Sequence, residues 1–267
     1  MTDADPAPPA SGARSARERR RDIVDLARTS GLAAVEDLAR RFGVTPSTIR
    51  RDLARLTETG DIARTYGGAM ALGGSGGEPT FRQRDQEAGV AKAAIARVAR
   101  DAVRDGEHLL LDAGSTVAAL ARELRADASV SVATTSLAVV QHLAEADRVH
   151  VECLGGTLRP ASLGFVGPLA EAALDRMTFD HVFLGADGVL ASGHVVEADL
   201  VQTRLKELMC RQSARVWVLA DGSKLGRATY HARAALPEGW TLVTDASAPA
   251  DELERFRAAG VDVRVAG

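Results

Sequence analysis

The 267-residue chain has little cysteine: Cys153 and Cys210 are its only two. Two are too few for a disulfide framework, and these are not spaced as a CxxC zinc pair. Cys153 is expected in a strand and Cys210 in a helix, both as core thiols in a reducing cytoplasm. There is no run of about 18 apolar residues, so no membrane-spanning helix is expected. The N-terminus has no apolar core of the signal-peptide kind. The six histidines are scattered without HxH or HExxH spacing, so neither a metal site nor a cofactor is expected. The chain also lacks a strong charge of either sign. Its 33 Lys+Arg against 36 Asp+Glu give -3, which at face value argues against a nucleic-acid binder.

What is present is ordinary globular material, 46% hydrophobic and 26% charged, in a chain long enough for one large or two smaller domains. Residues 1–13 are Ala, Pro and small polar residues and read as a disordered tail. A helix is predicted from about Arg17 to Arg28. In the next segment Val35, Leu38, Ala39 and Phe42 fall at i, i+3, i+4 and i+7, the spacing of an amphipathic helix, and Gly43 ends it. Thr45 as N-cap and Pro46 at the first position start a third helix, with Ile49, Leu53 and Leu56 inward. A short wing follows to Met70. This is a winged helix-turn-helix. A step of about 100° per residue turns Ser47, Arg51 and Arg55 outward, with Thr48 and Arg50 on the flanks. Such a helix presents its first turn to base edges in the major groove, and Arg can bond guanine bidentately. The candidate DNA-binding residues are Thr45, Ser47, Thr48, Arg50, Arg51, Arg55 and, on the wing, Arg64 and Tyr66.

The charge supports this division. Residues 14–64 carry +4, the tail -2, and residues 65–267 carry -5. The near-neutral total averages a basic module and an acidic partner, which suits phosphate contact joined to a separate function.

Residues 71–90 include GGSGGEPT and read as a linker. Beyond it, strands alternate with helices. Strands are predicted over His108–Asp112, Val130–Thr134, Val149–Leu154, His181–Ala186, Val216–Ala220, Thr241–Thr244 and Val261–Val265. Helices are predicted over Lys92–Arg104, Val117–Leu124, Leu137–Glu145, Pro168–Arg176, Leu200–Ser213 and Pro249–Ala258. The pattern predicts an α/β domain over 91–267 with a largely parallel sheet. The expected organisation is therefore a tail (1–13), a DNA reader (14–70), a linker (71–90) and an α/β effector domain (91–267).

The segment TIRRDL followed by a wing ending in YGGA resembles the DNA-binding domain of DeoR/GlpR-type bacterial transcription regulators. The resemblance continues in order through LDAGSTV (111–117), ATTSL (133–137), LGGTLRPASLGFVGPLA (154–170), FLGADGV (183–189), the helix around Lys206 and VLADGSKLG (218–226). It implies a sensor domain similar in fold to ribose-5-phosphate isomerase and CoA-transferase-like proteins, binding a phosphorylated sugar or related metabolite.

Each of these loops follows a predicted strand, where open parallel sheets place ligands. In the first, Asp112, Gly114, Ser115 and Thr116 lead into a helix whose N-terminus can hold an anion. Thr135 and Ser136 repeat the arrangement. Asp187, beside Gly188, suits sugar hydroxyls, although an Asp-Gly turn is its plain alternative. Arg159 can pair with phosphate or carboxylate. The resemblance adds Lys206 and Lys224 as candidate ligands. The chain departs from the family over 192–209 (SGHVVEADLVQTRLKELM). The acidic pair expected before Lys206 is absent, Val201 and Gln202 lie in that region, and His194 and Glu197 are extra polar groups.

The expected function is a cytoplasmic repressor that binds double-stranded operator DNA as at least a dimer and senses a sugar phosphate or related anion. The alternative is an isomerase-like enzyme with a DNA-binding arm, with Asp187 as base. It is disfavoured because the missing acidic pair leaves no second carboxylate.

Overall fold

The structure is a computed structural model that describes residues 16, 18–20, 22–23, 32–58, 62–65, 68–71 and 78–267. The expected tail, most of the first predicted helix, Tyr66 and the Gly-rich part of the linker lie outside the described residues. The chain divides into two compact units, Met1–Glu78 and Pro79–Gly267.

In the first unit, strand β1 (Leu32–Ala34) leads directly into helix α1 (Val35–Phe42). Gly43 takes φ 63°. The Val44 N–H reaches back to Ala39 O and the Gly43 N–H to Arg40 O, which closes α1 with the paired bonds of a glycine C-cap. Helix α2 (Pro46–Glu58) follows, then strands β2 (Ile62–Thr65) and β3 (Gly68–Ala71). The three strands form an antiparallel sheet in the order β1-β3-β2. Ile23, Val35, Leu38, Ala39, Ile49, Leu53 and Leu56 make its core, so the inward face read from the helical period of α2 is the buried one. Asp52 is buried too. It accepts a hydrogen bond from Arg19 at 2.7 Å, and Arg20 lies 3.8 Å away.

The second unit opens with a helix, not with coil. Helix α3 (Phe81–Gln86) begins at Thr80, where the Thr80 and Gln83 side chains bond each other's backbone N–H groups in a capping box. Helix α4 (Gly89–Arg100) starts after Ala88, which sits at φ 51°. The linker expected over 71–90 thus contains a buttressed helix in its second half. Six residues are too few to show a period.

The sheet of this unit has seven parallel strands in the order β15-β14-β12-β9-β4-β5-β6. They are β4 (His108–Leu111), β5 (Val130–Thr134), β6 (Val149–Cys153), β9 (Phe179–Leu184), β12 (Ser213–Leu219), β14 (Thr241–Asp245) and β15 (Asp262–Ala266). Strands β4 and β9 are buried runs such as His108–Leu111 and Phe179–Leu184, as expected where helices cover both faces. Helix α4, α5 (Ser115–Asp127) and α6 (Leu137–Leu143) pack one core with Leu109, Leu111 and Phe183. Helices α7 (Pro168–Leu174), α8 (Leu200–Arg211) and α9 (Ala250–Ala258) pack a second with Leu110, Val182 and Val218. Two small additions were not foreseen. One is the hairpin β7 (Thr157–Arg159) with β8 (Gly164–Val166). The other is an antiparallel sheet of β10 (Gly188–Leu190), β11 (His194–Glu197) and β13 (Ala232–Ala235).

Cys153 corrects an expectation: it is exposed, because β6 is the edge strand of the sheet. Cys210 is buried, and burial pushes its thiol up to about 12. No helix among the described residues is long and apolar enough to cross a membrane.

Candidate DNA-reading face and effector pocket

On the first unit, α2 is held by its buried side, so the other side is free to meet a partner. Thr45 caps it: the Thr45 Oγ1 accepts from the Thr48 N–H at 3.3 Å and lies 2.8 Å from the Ser47 hydroxyl. Thr45, Ser47, Arg50, Arg51 and Arg55 are exposed, and Thr48 is half-buried. These six candidates share the first turns and outer side of one helix. Arg64 lies on β2, and Tyr66 is outside the described residues.

In the second unit the chain runs from β4 outward through β5 and β6, then returns to the other side of β4 with β9. The reversal lies between β4 and β9. Open α/β sheets bind ligands at such a switch point, beyond the C-terminal ends of the strands. Asp112 follows β4 there, and Gly185–Asp187 follow β9. Asp112 accepts the Gly185 N–H at 3.1 Å, and its own N–H donates to Phe183 O at 3.1 Å. The two turns come close enough that a Cβ on Gly114 would lie 3.8 Å from the Gly185 Cα.

Lys206 enters from α8 and is 1% exposed. Its Nζ donates to Asp112 Oδ2, to Gly185 O at 2.9 Å and to Glu197 Oε1 at 3.1 Å. Burial works against this ammonium, but Asp112 and Glu197 outweigh it and hold its pKa above the usual lysine value. Burial pushes Glu197 up to about 7, with Lys206 opposing and Asp187 and Asp112 adding to the rise. Glu197 is therefore no stray polar group of a divergent loop. It supplies the second carboxylate whose lack counted against an enzyme at the sequence level.

Asp187 is 7% exposed. Arg84 of α3 approaches its Oδ1 at 3.4 Å, while its Oδ2 is buried without a hydrogen-bond partner among the described residues. Gly188 opens β10, where any Cβ would meet Arg227 O at 2.0 Å. Ser115 and Thr116 are buried at the start of α5, whose N-cap Gly114 offers no side-chain cap. The first N–H groups of a helix have no partner within it. Ser136 caps α6 through the Val139 N–H at 3.3 Å. Thr135 is buried, and its Oγ1 has no partner among the described residues.

The β7–β8 turn closes over these loops. The Phe165 N–H donates to Thr135 O at 2.6 Å and the Leu137 N–H to Leu163 O at 2.9 Å. A Cβ on Gly164 would lie 2.7 Å from that of Ala113, so only glycine fits there. The fold thus brings together Asp112, Gly114, Ser115, Thr116, Thr135, Asp187 and Lys206. Arg159 goes elsewhere, pairing at 3.0 Å with Asp199, the N-cap of α8. Lys224 sits partly exposed on a short turn, Gly222–Lys224, after β12, and no described contact joins it to the Lys206 cluster. Arg84 and Glu197 are site residues that sequence reasoning missed.

The chain matches two family models: the DeoR-like helix-turn-helix domain over residues 19–73 and the DeoR C terminal sensor domain over 87–246. It is 36% identical to the HTH-type transcriptional regulator GlpR of Haloferax volcanii over 92% of this chain and 96% of that one. To the glycerol-3-phosphate regulon repressor of Escherichia coli it is 29% identical over 89% and 94%. Among solved structures, ribose 5-phosphate isomerase A of Methanocaldococcus jannaschii is similar over 50% of this chain and 52% of that one, at 22% identity and a TM-score of 0.37. The chain belongs to the DeoR family of transcriptional regulators. It is a regulator and not an enzyme, and its helix-turn-helix unit implies DNA binding.

Proposed function

We propose that the protein is a cytoplasmic repressor, acting as at least a dimer, whose α/β unit binds a sugar phosphate and thereby changes the affinity of α2 for operator DNA. One observation carries the effector reading. At the switch point, carboxylates gathered on Lys206 leave Asp187 Oδ2 buried and unpartnered. A buried acceptor without a donor is costly unless a ligand supplies one. Sugar hydroxyls are such donors. The anionic end belongs at the start of α5, beside Ser115 and Thr116, away from the carboxylates. Glycerol 3-phosphate is in the regulon name of one relative, which supports the phosphorylated class. Ligand and operator then communicate by population shift, each favouring one arrangement of the chain.

Two measurements test this. Thermal shift of the full chain against glycerol 3-phosphate, ribose 5-phosphate, glycerol and ribose is expected to respond to the phosphorylated pair only. A response to the unphosphorylated pair alone would reject the phosphate. For DNA, Arg51→Ala is expected to weaken binding to an operator selected from random duplexes by about 1–3 kcal/mol. Unchanged affinity and salt slope would remove α2 as the reading helix.

A further inference from the structure

Helix α3 is the first element of the second unit and follows directly in sequence on the DNA-reading unit. Its contacts run across the C-terminal end of the sheet. Arg84 is 9% exposed and reaches two parts of the effector pocket. Its Nη1 lies 3.4 Å from Asp187 Oδ1, beyond β9, and its Nη2 donates to Ala161 O at 3.0 Å, at the tip of the β7–β8 turn. Asp85 pairs with Arg122 of α5 at 3.0 Å. The C-terminal end of α3 is tied down as well. The buried Lys92 ammonium donates to Arg84 O and, at 2.8 Å, to Glu87 O. α3 is thus a short helix clamped at both ends, with one clamp inside the pocket.

We propose that Arg84 is the residue through which occupancy of the pocket is passed to the segment leading to the DNA reader. The contact to Asp187 is long for a hydrogen bond and engages one carboxylate oxygen. The other oxygen faces the pocket without a partner. A ligand hydroxyl donating to Oδ2 shares the carboxylate with Arg84, and a ligand anion attracts the guanidinium. Either event changes the Asp187–Arg84 contact, and with it the grip on α3 and on the turn at Ala161. A site and a remote segment are coupled when one two-state element contacts both. Arg84 is such an element, a positioning residue that holds α3 as well as lining the pocket. The effect of ligand rests on the effector reading above; the tether does not.

Hydrogen exchange on the full chain separates the two. Without ligand, Asp187→Asn and Arg84→Met are each expected to raise exchange over 79–88 by about tenfold, the size of a ~1.4 kcal/mol local opening. The double variant is expected to add nothing to either single one, because both remove one contact. Arg84→Lys, which can reach only one of the two partners, is expected to fall between. Wild-type exchange over 79–88 in Asp187→Asn, or an additive double variant, would overturn the tether. With glycerol 3-phosphate as probe, binding is followed by calorimetry. Wild type is expected to change exchange over 79–88 on binding, and Arg84→Met to bind without that change. The same change in Arg84→Met would overturn the transmission role. If wild type gives no heat with glycerol 3-phosphate or ribose 5-phosphate, the sugar-phosphate reading fails, and the ligand-free comparison still decides the tether.

Discussion

Replacing Lys206 by Met tests whether the pocket rests on a buried charge balance. The side chain is 1% exposed and lies between Asp112 (3%) and Glu197 (4%). Met keeps the apolar stem and removes the ammonium, which leaves two carboxylates facing each other out of water. Breaking a buried pair by removing one partner costs about 3–5 kcal/mol. For a unit of this size that is roughly a 10 °C fall in Tm, at about 2–4 °C per kcal/mol. The sign of the pH dependence follows from the loss of the cation. Both carboxyls rise above their unfolded values, so the folded variant binds more protons than the unfolded chain. Its stability is then greatest below the unfolded pKa and falls as pH rises through the folded one. Glu197 already stands at about 7 with Lys206 present. The loss at pH 5.5 is therefore expected to be at least about 1 kcal/mol smaller than at pH 8, since one pKa unit is worth ~1.4 kcal/mol. Urea unfolding followed by tryptophan fluorescence isolates the right unit, because the chain's two tryptophans, Trp217 and Trp240, both lie in it. The triple variant with Asp112→Asn and Glu197→Gln is expected to recover most of the loss. A loss below about 1 kcal/mol at pH 8, or none of the expected recovery in acid, would refute the charge-balance argument.

Three further outcomes follow from packing and titration. Gly188→Ala places a Cβ 2.0 Å from Arg227 O, where backbone must shift, whereas Gly193→Ala meets nothing within 4 Å. The first is expected to lose about 1–3 kcal/mol by overpacking and the second only about 1 kcal/mol, from its positive φ; equal losses by urea titration would contradict this. Asp52→Leu removes the acceptor that anchors Arg19 and Arg20. It is expected to speed amide exchange in α1 and α2 by about tenfold or more while leaving β4 and β9 unchanged. His181 is fully buried, its Nδ1 accepting the Trp217 Nε1–H at 2.7 Å, and its pKa is lowered by burial against the pull of Glu107. The unfolded chain then binds the proton first, so stability from this group is present above the usual His pKa and is lost as pH falls below it. His181→Asn keeps an acceptor for Trp217 and is expected to flatten that acid-side slope; an unchanged slope would show that His181 is not its source.

The alternation of helix and strand was legible because both signals are local. The outward set on α2 follows from Ile49, Leu53 and Leu56 facing in, and the register of a buried strand such as Val130–Thr134 from its own apolar residues. The turn loops were legible as ligand sites because Gly and Ser/Thr directly follow strands. What was missed depends on partners far away in the chain. β10, β11 and β13 are three or four residues each, and His194 meets Ala235 only after an intervening helix and strand. Arg84 touches Asp187 across 103 positions, and no spacing rule announces such a contact. Glu197 did carry a signal: it ends the apolar run Val195–Val196 on β11, and a carboxylate in a buried strand requires a cation nearby.

The departure from the family pattern around Lys206 is narrower than the sequence made it look. Of the two positions that lack acidic residues, Val201 is 42% exposed on the outer side of α8, whereas Gln202 is 5% exposed. Only residue 202 can therefore act on the interior. Its Oε1 is buried and accepts no hydrogen bond among the described residues. A carboxylate at that place can only accept, while an amide can also donate. The cluster keeps its own carboxylates through Asp112 and Glu197, so the pocket does not lose its charge balance at this point. What the exchange alters is the sense of one hydrogen bond near the start of α8. That can discriminate between ligands differing in a single polar group, because a buried donor or acceptor left unmatched costs about 1–3 kcal/mol.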